Sequence, residues 1–135
     1  MKKLLFIVGA LLIFQSCSKS SVKPKNQVTI VGIWHYKKNV HYSTTNGVLG
    51  SPTTTQLDGS ETLTFNSDGT GVDHDENGTN LSENFTYEIN GQSFTITYTG
   101  QIYNQYVGTI KVLNSNSLEI YYSYPMGADD NYYTK

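Results

Sequence analysis

Three histidines are the side chains best suited to acid–base or metal chemistry at neutral pH. His35 and His41 lie six positions apart on the strand face opposite Trp34. A strand rises about 3.3 Å per residue, so roughly 20 Å separates the two rings and we expect no shared metal ion. The sequence contains no Gly-x-Ser-x-Gly elbow that would activate a serine. These observations predict that the protein is not an enzyme.

The segment Asp73-His-Asp75-Glu-Asn77-Gly78 has oxygen ligands at the spacing that opens a calcium loop. In such a loop the twelfth position supplies a bidentate carboxylate, but that position is Asn84 here and Glu83 stands one place early. Asp, Asn and Gly also suit the turns of a solvated hairpin loop. We therefore predict no metal and no other cofactor, with calcium as the alternative.

The N-terminus has the order of a secretion signal. Lys2 and Lys3 precede an apolar run from Leu4 to Phe14. That run is shorter than the stretch of about 20 apolar residues that crosses a bilayer as a helix. We predict a signal peptide over residues 1–16.

Cys17 is the only cysteine in the chain, so no disulfide can form within it. The segment Phe14-Gln15-Ser16-Cys17 resembles the lipobox of bacterial lipoproteins, although Gln15 replaces the usual small apolar residue. The resemblance implies that Cys17 becomes the new N-terminus and carries acyl chains such as palmitate, several of which together hold a protein on a membrane. The alternative is an ordinary signal peptide cut near Ser16, which leaves an unused thiol.

Residues 17–27 are predicted to form a flexible tether, because Lys19, Lys23 and Lys25 stand among serines with few apolar side chains. The resemblance to lipoproteins implies an outer-membrane address, since Ser18 rather than Asp follows the cysteine. It also implies a periplasm-facing domain, since no acidic cluster follows.

Residues 28–135 are enough for one domain with one core. From residue 17 onward, eleven acidic residues face seven lysines and there is no arginine, so the formal charge is near −4. Nucleic-acid binding needs a concentrated basic face, and this composition excludes it.

The apolar side chains of the domain repeat with a period of two, as in 85–89 and 94–98, which is typical of half-buried strands. Asn90-Gly91 joins these runs and predicts a type I′ hairpin turn. Further turns are indicated at 66–69 and 114–116. We predict an all-β, antiparallel, up-and-down barrel of about eight strands, with a small β-sandwich as the alternative.

Two short motifs resemble those of lipocalins and of bacterial lipocalin-like lipoproteins. Gly32-Ile33-Trp34 resembles the Gly-x-Trp that opens their first strand, and Leu63–Thr70 resembles a recurring hairpin. The resemblance implies a lipocalin-like barrel that Tyr132–Lys135 closes as a short last strand. It also implies an arginine packed over the tryptophan, and this chain has none.

The candidate ligand-binding residues are aromatic. If Trp34 faces the interior, alternation places Tyr36 and Tyr42 there as well. The predicted ligand-binding set is Trp34, Tyr36, Tyr87, Tyr98 and Tyr122. Buried hydroxyls need partners, so several inward tyrosines indicate a ligand with both apolar and polar parts. The alternative is that tyrosine simply favours strands and its hydroxyls reach solvent at the barrel ends.

Three classes of function follow from these features. The first is a lipid-anchored envelope protein that binds a small amphiphilic ligand, as the resemblance implies. The second is an interaction or inhibitor module that binds another protein through exposed loops such as 43–57. We expect residues 43–60 to form a long mobile loop, because Gly, Thr and Ser dominate there. The third is a purely structural envelope protein.

Overall fold

The computed structural model describes residues 29–75, 81–100 and 105–135. The signal peptide, the tether and Cys17 lie outside these residues, and they stay predictions. The described residues form nine strands, which are β1 (Gly32–Thr45), β2 (Val48–Gln56), β3 (Thr62–Phe65), β4 (Thr70–Asp75), β5 (Leu81–Asn90), β6 (Ser93–Tyr98), β7 (Gln105–Leu113), β8 (Ser117–Tyr124) and β9 (Gly127–Thr134). Within the described ranges no helix is long and apolar enough to span a bilayer.

The strands form one antiparallel sheet that closes on itself. Each strand from β3 to β9 pairs with its neighbour in sequence, β3 also pairs with β1, and β1 pairs with β9. Strands β1 and β3–β9 therefore make a closed barrel of eight strands. The prediction of an up-and-down barrel is confirmed, and the sandwich alternative is excluded.

Strand β2 lies outside this closed circuit. Along one edge of β1, residues Gly32–His35 pair with β3, and the segment from Lys38 to Thr45 then pairs with β2. All nine residues of β2 are exposed. The expectation of a long loop over 43–60 is therefore wrong, because Asn46-Gly47 forms a tight turn with φ of 52° and 76° and folds the chain back as a hairpin.

A bulge in β1 changes which side chains face inward. The register with β9 slips between Tyr36 and Lys38, so the inside and outside positions exchange after the bulge. Asp129 points into the barrel, so its neighbour Ala128 points outward. Tyr42 pairs with Ala128 and therefore also points outward. The expected inward position of Tyr42 is therefore wrong.

His41 is on the inner face for the same reason. Its ring reaches Asp129 on β9, so the expectation that His41 and His35 share the face opposite Trp34 is also wrong. The inner side chains of β1 are thus Trp34 and Tyr36 before the bulge, and Asn39 and His41 after it.

Large apolar side chains fill one end of the barrel. The largest fully buried residues are Trp34, Phe65, Phe85, Phe94, Leu118 and Ile120. The indole N–H of Trp34 donates a hydrogen bond of 2.6 Å to the carbonyl of Ile30. The Nζ of Lys135 lies 4.7 Å from the centre of the Trp34 ring, so a lysine at the end of the last strand stands where the resemblance implies an arginine.

Candidate functional site

The other end of the barrel encloses a cavity of about 430 Å³. Its walls carry mostly tyrosines and carboxylates. The lining residues are Tyr36, Glu61, Leu63, Asp73, Glu83, Tyr98, Tyr106, Tyr122, Tyr124, Asp129, Asn131 and Tyr133. Tyr106 and Tyr124 are 47% and 38% exposed, so they form the rim.

The cavity arises because the inward face of several strands changes character along its length. On β8 the inward side chains run from Leu118 and Ile120 at the filled end to Tyr122 and Tyr124 at the cavity. On β5 the apolar Phe85 gives way to Glu83. Alternation positions all of these side chains, and the replacement of apolar groups by longer polar ones opens the space.

Tyr36 is held against the wall by β9. Its hydroxyl donates a hydrogen bond of 2.8 Å to Oδ1 of Asn131, which also accepts one of 2.8 Å from Nδ2 of Asn39. Its ring stacks on that of Tyr133 with 4.8 Å between centroids. Burial raises the pKa of Tyr36 to about 12, so the hydroxyl is neutral at physiological pH.

Tyr98 and Asp73 join the opposite side of the cavity. The Tyr98 hydroxyl donates a hydrogen bond of 2.6 Å to Oδ2 of Asp73. Burial raises the pKa of Asp73, and this effect outweighs the stabilising hydrogen bond from Tyr98. Burial and the nearby carboxylate also raise the pKa of Tyr98 far above its ordinary value.

Glu61 stands just before β3 and faces the same carboxylate. Burial, together with the charges of Asp73 and Asp75, raises the pKa of Glu61 to about 7. A smaller space of about 230 Å³ adjoins the main cavity and is lined by Glu61, Asp73 and Glu83 together with Asp75 and Leu81. This side of the cavity is therefore crowded with acidic groups.

A cluster around His41 completes the rim. Nδ1 of His41 lies 2.9 Å from Oδ1 of Asp129 and 3.0 Å from the hydroxyl of Tyr124, which donates to Oδ2 of Asp129 at 2.9 Å. Burial acts to raise the pKa of Asp129. The hydrogen bonds from His41 and Tyr124 together have a larger, opposite effect, so the pKa lies below its ordinary value. Asp129 is thus a stable carboxylate that fixes the imidazole.

With Ser43, the cluster has contacts in the order Ser, His, Asp, as in a catalytic triad. Its Oγ lies 3.3 Å from Nε2 of His41, at the far end of the ring from Asp129. That separation is longer than an ordinary hydrogen bond from a hydroxyl. Tyr124 also contacts Nδ1, so Asp129 and Tyr124 together hold the imidazole in place.

The structure brings together three of the five tyrosine and tryptophan candidates. Tyr36, Tyr98 and Tyr122 line the cavity. Trp34 is fully buried in the filled end. The hydroxyl of Tyr87 donates to the carbonyl of Asn66 at 2.6 Å, so Tyr87 also lies away from the cavity.

Sequence reasoning missed the polar half of the wall. Glu83 has the same parity as the inward Phe85, and Asp129 and Asn131 have the same parity as Tyr133. That alternation was the available signal. His41 had no such signal, because the bulge that turns it inward leaves no mark in the periodicity.

The calcium pattern lies partly on a strand. Asp73, His74 and Asp75 belong to β4, and the carboxylate of Asp73 accepts the Tyr98 hydrogen bond. Residues 76–78 lie outside the described residues. In the part of the chain that the structure describes, no group of three or more His, Cys, Asp or Glu side chains has the arrangement of a metal site.

The fold is similar to two solved structures. A lipocalin-like protein from Bacteroides uniformis ATCC 8492 matches with a TM-score of 0.54 and 15% identity, over 78% of this chain and 96% of the other. A protein from Bacteroides eggerthii DSM 20697 matches with a TM-score of 0.51 and 12% identity, over 78% and 98%. At these identities the similarity shows the fold alone.

Comparison of the sequence shows the family as well as the fold. No curated protein matches this chain. Residues 30–120, about two thirds of the chain, match the sequence profile of the lipocalin-like domain and include strands β1 to β7 and the start of β8. The protein belongs to the lipocalin-like domain family.

Proposed function

We propose that this domain binds a small amphiphilic ligand in the cavity at the polar end of the barrel. The observation that carries the proposal is the cavity itself, about 430 Å³ of space inside a barrel whose other end is packed solid. Binding pockets combine apolar walls with a few converging polar groups, and rings and hydroxyls of tyrosine supply both. The proposed role is binding and not catalysis, since the His41 cluster orients a ring and no acyl-transfer chemistry is needed to explain it.

We also propose where this binding takes place. A signal peptide over 1–16 and an acylated Cys17 would hold the domain on the outer membrane, facing the periplasm. The support is the order of charged and apolar residues at the N-terminus and the single cysteine that follows it. A Cys17→Ser form of the full chain should leave the membrane fraction and lose palmitate labelling. A form that stays with the membrane would contradict the anchor.

Native mass spectrometry of the full chain, purified gently from its own envelope in lipid nanodiscs, tests the binding function. A discrete additional mass is expected on the wild-type protein. Tyr98→Phe and Tyr122→Phe should reduce it, because both hydroxyls lie at the cavity. Tyr87→Phe is the matched control, since its hydroxyl bonds to Asn66 at the filled end. A protein without any adduct, or equal adducts on all variants, would contradict the proposal.

A second candidate is a protein-interaction module, which the exposed hairpin favours. Every residue of β2 is exposed, and Val48 and Leu49 at its start are 69% and 48% exposed. Exposed apolar side chains on an edge strand are suited to pairing with another chain. Cross-linking in the intact envelope tests this candidate by recovering any protein bound to the chain. If the double variant Val48→Ser, Leu49→Ser no longer recovers that protein but keeps the native adduct, protein interaction is favoured over ligand binding.

A further inference from the structure

The cavity wall has a strong excess of negative groups. Four carboxylates line the main cavity, on Glu61, Asp73, Glu83 and Asp129. The adjoining space adds Asp75. No lysine of the described residues lines either space.

Every lysine of the domain is engaged elsewhere. The four lysines from residue 29 onward are Lys37, which donates to the carbonyl of Asp58, Lys38 over the ring of Tyr132, Lys111 against Asp130, and Lys135 over Trp34. The sequence has no arginine, and residues 76–80 and 101–104 contain no lysine. His41 contacts Asp129, and no lysine of the described residues stands against the carboxylate of Glu61 or Asp73.

The pKa values of Glu61 and Asp73 are raised, as expected for carboxylates that lack a stabilising positive charge. Burial and the charges of Asp73 and Asp75 raise the pKa of Glu61 to about 7. Burial also raises the pKa of Asp73, in spite of the hydrogen bond that it accepts from Tyr98. Confining carboxylates together out of water is costly unless an opposite charge joins them.

The aromatic walls suit the same kind of occupant. The rings of Tyr36 and Tyr133 stack, and those of Tyr98 and Tyr106 meet edge to face at 5.8 Å. The faces of such rings attract ammonium groups, and outside the cavity this chain already places Lys38 at 3.7 Å from the centre of the Tyr132 ring. The side chain of Tyr122 lines the same cavity and adds a further ring to its wall.

We propose that the ligand of this cavity is an organic cation, an ammonium group carried on an apolar or aromatic body, with the charge placed between Glu61 and Asp73. This inference rests on the proposed function and specifies the chemical class of its ligand. The carboxylates neutralise the ammonium group, and the tyrosine rings cover the body. Carrying both a charge and an apolar part, such a molecule is an amphiphile.

Isothermal titration calorimetry with three matched probes tests the charge. The probes are 2-phenylethylammonium, 2-phenylethanol and 3-phenylpropanoate, titrated into the full chain in phosphatidylcholine nanodiscs with empty nanodiscs as the blank. The cation is expected to bind at least about tenfold more tightly than the alcohol, the equivalent of one favourable charged contact. The carboxylate is expected to give no heat of binding.

Isosteric variants then locate the charge. Glu61→Gln and Asp73→Asn should each weaken the cation by about three- to tenfold while leaving the alcohol unchanged. The side-chain amide introduced by Asp73→Asn can still accept the Tyr98 hydrogen bond through its oxygen, which guards the wall against collapse. Glu88→Gln is the matched control, because Glu88 is on β5 outside the cavity and its loss changes the net charge equally.

Linkage supplies a second measurement that does not depend on affinity. Glu61 faces Asp73, Asp75, Glu83 and Tyr36, all neutral or negative. A bound cation should lower the pKa of Glu61, so binding at pH 6 should release protons. The observed heat should therefore vary with the ionisation enthalpy of the buffer in wild type and in Glu88→Gln, and less so in Glu61→Gln.

The outcomes separate this inference from the proposed function. Equal affinity for cation and alcohol, or equal effects of Glu61→Gln and Glu88→Gln, would overturn the cationic class while the cavity remains a binding site. Heat from calcium chloride alone, competing with the organic probe, would overturn it in favour of a metal ion. If no probe binds and no native adduct is found, the proposed function and this inference both fail.

Discussion

The two ends of the barrel are built from the same strands but by opposite choices of side chain. At the filled end the inward positions hold Trp34, Phe65, Phe94 and Leu118, which exclude water. At the hollow end the inward positions of the same sheet hold tyrosines and carboxylates around about 430 Å³ of space. Apart from bulges in β1 and β7, the backbone pairing continues from one end to the other, so most of the difference comes from the side chains.

That difference separates stability from function. Apolar burial at the filled end contributes most of the driving force for folding. The hollow end gives up packing and gathers groups whose charges repel each other, which is tolerated when it serves binding. Changes at the filled end should therefore alter stability, and changes at the hollow end should alter ligand affinity and pH response.

The largest effect on stability is expected from Phe94→Ala. Phe94 is completely buried, and truncating such a ring costs roughly 3–5 kcal/mol of unfolding free energy. Tyr106→Ala at the rim of the cavity, where the ring is 47% exposed, should cost much less. Urea denaturation of both variants measures the contrast. Equal losses would mean that the hollow end carries as much of the core as the filled end.

Gly71→Ala should produce the next largest loss. The Phe85 ring and the carbonyl of Thr64 leave no room for a Cβ at Gly71, so overpacking should cost about 1–3 kcal/mol. Gly50→Ala on the exposed β2 is the comparison, because its new methyl group would meet only a carbonyl oxygen at 3.3 Å. Thermal unfolding should show a clear drop for Gly71→Ala and a smaller one for Gly50→Ala. The reverse order would contradict the packing around Phe85.

A smaller effect on stability is expected from pH, and between pH 5 and pH 8 it should come from the carboxylates of the hollow end. The pKa of Glu61 is about 7 in the folded protein and 4.5 is its ordinary value, so the folded state holds a proton that the unfolded state has lost. This contribution to stability is fully present below about pH 4.5 and declines as the pH rises through 7. The raised pKa of Asp73 acts in the same direction, whereas that of Asp129 is lowered and matters only at more acidic pH.

Urea midpoints at pH 5 and pH 8 measure this dependence. The wild-type midpoint should be lower at pH 8 than at pH 5. Glu61→Gln should show a smaller change, because the glutamine side chain does not titrate. Glu88→Gln should keep the wild-type slope. A wild-type midpoint that rises with pH would contradict the placement of Glu61.

The smallest effect is expected from Ser43→Ala. If the His41 cluster only positions a ring, removing the Ser43 hydroxyl should leave ester hydrolysis at the background rate. Release of p-nitrophenol from p-nitrophenyl acetate by wild type and Ser43→Ala is the measurement. A wild-type burst that Ser43→Ala abolishes would show nucleophilic catalysis and contradict the binding role.

Turns show how far the sequence determines this fold. At Asn90-Gly91 a hairpin was predicted and found, but its two turn residues are Gly91 and Gln92, and only Gly91 has positive φ. That geometry is type II′ instead of the predicted type I′. Asn46-Gly47 forms a turn with positive φ at both positions, yet the Gly- and Thr-rich surroundings predicted a loop there.

The site was less predictable than the barrel. Alternation correctly placed Tyr36, Tyr98 and Tyr122 on the inside, because a regular strand carries its parity along its whole length. The bulge next to Lys37 reverses that parity and brings His41 to Asp129, 88 positions away, by a contact that only the closed barrel creates. The local sequence pattern therefore predicts the strands, whereas the pairing between β1 and β9 determines which side chains form the rim of the cavity.

Nuclear magnetic resonance of the full chain in nanodiscs tests most directly whether the hollow end is a ligand site. Backbone amide shifts would be followed while 2-phenylethylammonium is added, with empty nanodiscs as the reference for partitioning. The predicted result is saturable change at Glu61, Asp73, Tyr98 and Asn131, with little change at Phe65, Phe94 and Leu118. Changes confined to β2, or spread evenly over both ends, would contradict the division of the barrel into a core and a binding cavity.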